Sequence, residues 1–334
     1  MMNITSRPRR NRITSSVRGL IQETHLLPQH LVSCFFVIEG GQKSHPIASM
    51  PGVSRLSIDL LLQKIEVHYH LGIRAIDLFA YVDPSQKDPL GSYAYQENNL
   101  ISKAIKAVKE AFPEMTIMAD IALDPYTDHG HDGAIDESGE VINDLSVELL
   151  GKMSLIAAEA GVDFIAPSDM MDGRVGYIRK VLDTHGFQKV GIVSYTAKYL
   201  SSLYSPFREA LGSTPKKGDK KSYQLNPANK REALREAELD IQEGADMLLI
   251  KPALCNLDIV AAIRENTTLP VGAYHISGEY AMVMAAAERG WINAPKVFYE
   301  QMLSIRRAGA DFIFTYAAEQ ILQGMQEIIG VARQ

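Results

Sequence analysis

From residue 30 onward, short apolar runs alternate with longer stretches whose apolar positions recur at helical spacing. The runs Val32–Ile38, Arg74–Phe79, Thr116–Leu123, Asp163–Ala166, Lys189–Tyr195, Asp246–Ile250, Leu269–Tyr274 and Asp311–Thr315 predict strands. The spacing between them predicts helices over Ser57–Leu71, Glu97–Ala111, Asp144–Ala160, Val175–Thr184 and Ala228–Glu243. Asp144 and Asn226 are the candidate caps of the third and fifth of these. Further helices run through Arg264, over Ser277–Arg289 and Pro295–Arg307, and finally through Ile328. Before three strands stands Gly161-Val162-Asp163, Gly244-Ala245-Asp246 or Gly309-Ala310-Asp311, which reads as a helix C-cap glycine turning into a strand. Apolar strands alternating with helices point to a parallel sheet with crossovers, and their number matches an α/β fold of the (β/α)8 TIM-barrel type. A doubly wound sheet is the alternative, but no Gly-x-Gly-x-x-Gly opens a helix after a strand and there is no P-loop.

Three stretches break the alternation. Residues 1 to about 25 carry the basic cluster Arg7-Pro8-Arg9-Arg10-Asn11-Arg12, then Arg18. Ile13, Val17, Leu20 and Ile21 add apolar surface, so an extended N-terminal arm (1–28) that wraps a neighbouring subunit is expected ahead of a catalytic barrel (29–334). A solvated tail is the plainer reading. The stretch from Asp124 to Asn143 reads as a long polar loop, and another follows the fifth strand.

Composition narrows the class. With 46% hydrophobic and 22% charged residues in 334, the chain suits a globular enzyme with a sizeable core. A net charge of −6 disfavours non-specific nucleic-acid binding. Only Cys34 and Cys255 are present, far apart, so no disulfide framework is expected and a reducing, cytoplasmic setting is. No apolar run approaches the roughly 18 residues that would span a membrane, and no apolar secretory segment begins the chain.

In a barrel, chemistry gathers at the C-terminal ends of the strands. Met247-Leu248-Leu249-Ile250-Lys251-Pro252 is a buried strand that delivers an ammonium to its tip, and Val190–Lys198 echoes it. Asp120, Asp124, Ser277 and Tyr316 fall near other strand ends. A lysine amine attacks a carbonyl only when neutral, and burial or a second cation lowers its proton affinity. Lys251 and Lys198 meet both conditions if they share one site; each alone is more simply an exposed loop residue. The loop from Asp120 to Gly133, with His129, His131 and Asp132, can be read as a metal site, a mobile lid or a solvated surface loop. It holds no cysteine, which excludes a thiolate zinc site within it. Arg208 can bind a carboxylate bidentately, with Tyr204 and Phe207 closing over it. His68 and His70 read as structural or exposed, Met170 and Met171 as packing residues, and Trp291 as a turn aromatic without a role.

These stretches together resemble the porphobilinogen synthase (delta-aminolevulinic acid dehydratase) family over nearly the full length. The resemblance rests on Met50–Val53, Asp120–Gly133, Ala166–Arg174, Ser194–Tyr199, Tyr223–Asn229, Ile250–Pro252 and Ser277–Tyr280. It implies a barrel with an N-terminal arm, assembled as a homo-octamer. It implies condensation of two 5-aminolevulinate molecules to porphobilinogen, with loss of two waters, in tetrapyrrole (heme) synthesis. Lys251 and Lys198 would each hold one substrate as a Schiff base, and Asp120 matches a carboxylate beside them. Ser277 and Tyr316 match binders of one substrate carboxylate; Arg208, Lys220 and Gln224 match binders of the other.

Ala122, Asp124 and Asp132 stand where zinc-dependent relatives carry cysteines. The chain therefore resembles the zinc-independent, magnesium-responsive branch, with no catalytic zinc expected. There Glu236 matches a residue that binds an allosteric Mg2+, largely through waters, near a subunit interface with Arg12, Asp169 and Arg174. Asp124 and Asp132 would contact the substrate amine or a further metal. Lys220 stands where arginine is frequent, and His275 where glutamine is. Two other readings compete: another class I Schiff-base aldolase or lyase, and a catalytically silent barrel serving as a binding protein.

Overall fold

The computed structural model describes residues 4–329. In chain order the strands are β1 (Leu31–Val37), β2 (Ser44–Pro46), β3 (Ser54–Leu56), β4 (Ala75–Ala80) and β5 (Thr116–Ile121). Then come β6 (Phe164–Pro167), β7 (Gly191–Lys198), β8 (Met247–Lys251), β9 (Val271–His275) and β10 (Phe312–Thr315). Sheet order follows chain order from β4 to β10, and β10 returns to pair in parallel with β1, which also pairs with β4. Leaving aside the β2–β3 hairpin, eight of the ten strands thus close a parallel barrel. Closure removes the doubly wound alternative. β1 is buried at every position, as a barrel strand sandwiched between interior and helices must be.

The helices are α1 (Ser15–Leu20), α2 (Ile58–His70), α3 (Leu100–Ala111), α4 (Asn143–Glu159) and α5 (Arg174–Thr184). They continue with α6 (Ser205–Leu211), α7 (Arg231–Glu243), α8 (Leu257–Asn266), α9 (Ser277–Glu288), α10 (Ala294–Arg307) and α11 (Ala318–Ile329). No helix among the described residues is long and apolar enough to cross a membrane. α3 begins later than the spacing predicts because the Asn99 side chain accepts from Ser102 N at 2.9 Å and caps it. α7 also begins late. Asn226 does not cap it; its side chain accepts from Ala228 N at 3.0 Å in a separate turn, and Lys230 precedes the helix. Asp144 lies inside the first turn of α4 rather than at its cap.

The Gly-x-Asp segments carry a second function. Gly161, Gly244 and Gly309 take positive φ, as helix-terminating glycines do. The aspartates that follow accept backbone N–H groups: Asp163 from Ile117 at 2.7 Å, Asp246 from Ile192 at 2.7 Å and Asp311 from Val271 at 2.9 Å. Each carboxylate thereby fastens the start of one strand to its neighbour at the N-terminal face of the barrel, the face that carries stability.

The run that ends at Tyr195 in the sequence pattern extends three residues further in the structure. The reason is a bulge: Val193 and Ser194 pair with Met247 and Leu248, but Ala197 and Lys198 pair with Ile250 and Lys251. One extra residue in β7 bends the strand and re-aims the residues beyond it. Its effect is to set Lys198 directly beside Lys251.

Candidate active site

Lys251 ends β8 and is 3% exposed. Its ammonium sits among rings, 4.4 Å from the Tyr274 centroid, 4.7 Å from Phe207, 5.2 Å from Tyr195 and 5.4 Å from Tyr204. Burial, first, and then the charge of Lys198 lower its pKa to about 8, with Asp120, Asp124 and Asp77 opposing. Near neutral pH a useful fraction of the amine is therefore uncharged. Asp120, on β5, is pushed up to about 7, chiefly by burial; Lys251 opposes and Asp124 adds. An amine and a carboxyl that exchange protons near neutrality suit acid–base work on a carbonyl.

Lys198 Nζ donates to the Ser168 carbonyl and lies 3.4 Å from Asp132 Oδ2. Lys220 Nζ lies 2.9 Å from Asp132 Oδ1 and 3.5 Å from Asp124 Oδ2. Burial works against the Asp132 carboxylate, but Lys198 and Lys220 outweigh it and hold its pKa below the usual range. Asp124 is raised by burial, with Lys220 opposing. Lys220, which the resemblance assigns to a substrate carboxylate, thus faces two protein carboxyls. The Arg208 guanidinium makes no hydrogen bond or ion pair among the described residues, and the buried Gln224 Oε1 has no partner. Both line the same cavity as the lysines, Asp124 and Asp132. That cavity has room for about 20 Å3, roughly one water, so the segment over it must move to admit a substrate.

The covering segment is α6, absent from the sequence-based expectations, which read a loop there. It carries Phe207 and Arg208. Its last carbonyls accept from distant cations: Glu209 and Ala210 from Arg55 at 2.7 and 2.6 Å, Leu211 and Gly212 from Lys87 at 3.3 and 2.9 Å. Arg55 also stacks on Tyr81, 4.5 Å from its centroid. Ser277 Oγ accepts from Phe207 N at 3.1 Å and donates to the Leu203 carbonyl at 3.4 Å. Gly278 permits this close approach, since a Cβ there would stand 2.4 Å from the Leu203 carbonyl oxygen. Ser277 is therefore a fastener of the cover in this conformation. Tyr316 hydrogen-bonds Tyr274 at 2.7 Å and stacks on Phe36 at 5.5 Å, one ring removed from Lys251.

The stretch after β5 is not a solvated loop. Tyr126, Thr127, His129, His131 and Asp132 are buried. His131 engages the Tyr223 hydroxyl at 3.1 Å and the Lys217 carbonyl at 2.8 Å. His129 engages the Pro89 carbonyl at 3.1 Å and accepts from His131 N at 3.2 Å. Both rings have spent their nitrogens, and no group of three or more metal-ligating side chains occurs among the described residues. The contacts latch this loop to the one after β7.

Glu236 lies on α7, in a cavity it shares with Met170, Met171 and Gln224. It is half-buried beside Asp172, Glu232 and Asp240. His68 is buried between Ser33 at 2.8 Å and Glu319 at 2.9 Å, the structural role expected of it. Asp77, Tyr195 and Tyr274 escaped the sequence reading, as did the Arg55 and Lys87 anchors. The one available signal was Asp77 itself, an acid interrupting the apolar run Ala75–Ala80.

A closed parallel barrel with a desolvated lysine, a second lysine beside it and a cover above defines an enzyme of carbonyl chemistry. A family model described as delta-aminolevulinic acid dehydratase matches residues 5–324. The chain is 50% identical over 322 residues to the delta-aminolevulinic acid dehydratase of Chlamydia pneumoniae, covering 96% of this chain and 97% of that one. It is 46% identical over 326 residues to that of Bradyrhizobium diazoefficiens, covering 97% and 92%. The crystal structure of the Toxoplasma gondii delta-aminolevulinic acid dehydratase (porphobilinogen synthase), in complex with the reaction product porphobilinogen, superposes with a TM-score of 0.96. It shares 47% identity and covers 100% of this chain and 96% of its own. The chain belongs to the delta-aminolevulinic acid dehydratase family, and it is a lyase.

Proposed function

We propose that the chain condenses two molecules of 5-aminolevulinate to porphobilinogen, releasing two waters, through Schiff bases on Lys251 and Lys198. The observation that carries the mechanism is the bulge-set register, which makes Lys198 and Lys251 partners on adjacent strands. Lys251, desolvated and easily neutral, is the stronger nucleophile and binds one substrate ketone. Lys198 binds the other. Asp120 moves protons between the amines and the departing hydroxyls. Arg208, unpaired and beside Gln224, takes a substrate carboxylate, with Lys220 adding charge; Ser277 and Tyr316 take the other carboxylate once the cover shifts. Asp124 and Asp132 face the substrate amine. A class I aldolase would need one lysine only, and the paired site favours the two-amine reaction.

The test is incubation with 5-aminolevulinate, borohydride reduction and mass-spectrometric mapping of modified peptides. Adducts are expected on Lys251 and Lys198. An adduct on one lysine alone would support a single-lysine mechanism, and none on either would revive a silent barrel.

The chain works as a zinc-independent, magnesium-responsive homo-octamer in the cytoplasm, taking part in heme synthesis. Two observations support this reading. Glu236 has its carboxyl pKa raised by burial, with Arg174 opposing and Asp240, Asp172 and Glu232 adding, and a hydrated Mg2+ would be drawn to that cluster of carboxyls. Mg2+ keeps several of its waters, so Glu236 alone could hold it directly while the other acids act through those waters, and its role would be to stabilise the assembly. Ile13 and Leu20 of the N-terminal arm are 72% and 84% exposed, surface suited to docking on a neighbouring subunit, with Arg12 carried on it, whereas Asp169 and Arg174 are buried within the chain. Chelation with EDTA should lower activity several-fold without abolishing it and shift sedimentation toward smaller species. Glu236→Ala should remove the response to added Mg2+. Full activity after exhaustive chelation would defeat the activation, and complete loss restored only by metal would point to a catalytic ion.

A further inference from the structure

His275 ends β9, Thr315 ends β10, and the two are register partners. Their neighbours Tyr274 and Tyr316 hydrogen-bond each other at 2.7 Å on the inner face of the barrel, beside Lys251. His275 and Thr315 therefore look the other way, toward the helices. His275 is fully buried there, edge-on to Phe298 of α10 at 5.7 Å. Its Nδ1 lies 3.2 Å from Thr315 Oγ1, which accepts from Ala317 N at 3.0 Å. Its Nε2 has no hydrogen-bond partner among the described residues, and neither has the buried Oε1 of Gln301 on α10. Gln301 is near enough to raise the proton affinity of the ring, so the two orphaned atoms suit one another. The donors then run in one direction, from Ala317 N–H to Thr315, from the Thr315 hydroxyl to His275 Nδ1, and from Nε2–H toward Gln301. Burial, with Gln301 opposing, lowers the His275 pKa to about 4, so the ring is neutral and Nδ1 stays an acceptor near neutral pH.

We propose that His275 is a positioning residue that fixes the tips of β9 and β10 against each other, and so sets the preference of the Lys251 site for a ketone that carries a carboxylate. The proposal rests on the assignment of Ser277 and Tyr316 to the carboxylate of the substrate on Lys251, made under the proposed function. Ser277 stands two residues beyond His275, and Tyr316 follows Thr315. Between them lie the ring of Phe207, whose N–H donates to Ser277 at 3.1 Å, and that of Phe36, 5.9 Å from Phe207 and stacked on Tyr316 at 5.5 Å. A carboxylate shared by two hydroxyls is held only where their spacing is fixed in advance. The Tyr274–Tyr316 bond ties the two tips inside the barrel, and the His275–Thr315 bond ties them outside. Once the cover shifts, Ser277 gives up the Phe207 N–H, and its place then depends on the end of β9 beneath it. Neither His275 nor Thr315 lines the cavity of the lysines, so both act only through their neighbours in the chain.

The test is borohydride trapping on Lys251 with two ketones, levulinate and 2-pentanone, which differ in that the second has a methyl in place of the carboxylate. Wild type, His275→Ala, His275→Gln and Thr315→Val are compared, and porphobilinogen formation is measured on each. In His275→Ala the levulinate concentration for half-labelling should rise about fivefold to tenfold, while labelling by 2-pentanone stays within about twofold. KM for 5-aminolevulinate should rise with it and kcat should stay within about threefold, as for a loss of binding shared by ground and transition states. Glutamine, which offers an acceptor and a donor at similar reach, should restore wild-type selectivity. Thr315→Val removes the hydroxyl but keeps a β-branched strand residue, so it should repeat the alanine effect and decides the matter if alanine does not fold. Unchanged selectivity in the alanine and valine variants would reduce His275 to packing, and an equal loss for both ketones would make its role general support of the fold. A glutamine variant that behaves like alanine would overturn the hydrogen-bond relay. Wild type that labels equally well with both ketones overturns the carboxylate assignment to Ser277 and Tyr316, and an unlabelled Lys251 overturns the Schiff base itself.

Discussion

Replacing Lys251 by methionine should reduce porphobilinogen formation by about 10^4-fold or more, without weakening the barrel. The apolar replacement fits the ring cage of Tyr274, Phe207, Tyr195 and Tyr204 but supplies no nucleophile. Stability carries the sharper sign. The Lys251 pKa is lowered in the folded state, to about 8, whereas the unfolded chain holds its proton up to about 10.4. The unfolded state is therefore the better proton acceptor between those values. The native lysine costs up to about 3 kcal/mol below pH 8, falling to nothing above pH 10. Lys251→Met should thus unfold at higher denaturant concentration than wild type near pH 7, and the gain should vanish near pH 10. Lost attraction to Asp120 and Asp77 reduces the gain, since both then hold their protons more tightly. Matched urea titrations at the two pH values check this; a variant less stable at pH 7 than at pH 10, relative to wild type, would show that the ammonium is net stabilising.

Arg174→Met should be the most destabilising single change in the site's support, by about 3–5 kcal/mol. Arg174 opens α5, is 2% exposed and reaches three elements. It bonds Asp240 of α7 at 3.4 Å, Ser194 Oγ at 3.2 Å and the Tyr195 carbonyl at 3.3 Å, and lies 3.8 Å from Asp169. Ser194 in turn donates to Asp240 at 2.6 Å. Removing the guanidinium leaves two carboxyls buried without a cation. It also frees the carbonyl of Tyr195, which lies within the bulge that aligns Lys198 with Lys251, so activity should fall with stability. Asp169 already has its pKa raised to about 6 by burial, with Arg174 opposing. A raised carboxyl destabilises the fold once pH exceeds the unfolded value near 3.9, fully so above 6. Without Arg174 the value climbs further, so the stability deficit should shrink between pH 7.5 and pH 5. Urea unfolding across that range is the measurement. A deficit that stays constant with pH would place the loss in packing rather than in the stranded carboxyls.

The barrel was legible because its strands are nearly continuous apolar runs and its helices keep helical spacing, signals that depend on neighbours in the chain. Strand limits came within one to three residues. The largest miss, at β7, has a local cause in the bulge, which adds a residue that no apolar pattern marks. The solvated-loop reading of the stretch after β5 failed for a different reason. His129, His131 and Asp132 are polar in sequence yet buried, because their partners Pro89, Lys217, Tyr223 and Lys220 come from elsewhere in the chain. α6 was missed because seven residues form too short a helix to show periodicity, and Arg55 and Lys87 hold its end from more than a hundred residues away.

By itself the sequence determined the parallel barrel, the two lysines at strand tips and the family, since each is written in contiguous residues. A charge at the end of an apolar run has only the mouth of a barrel to go to. Tertiary structure alone decided that the lysines are register partners and that Lys251 is caged by four rings. It decided too that Ser277 and Lys220 are engaged by the protein's own groups. Proton affinity and reactivity depend on burial and on charges a few ångströms away, and those distances exist only after the strands have closed.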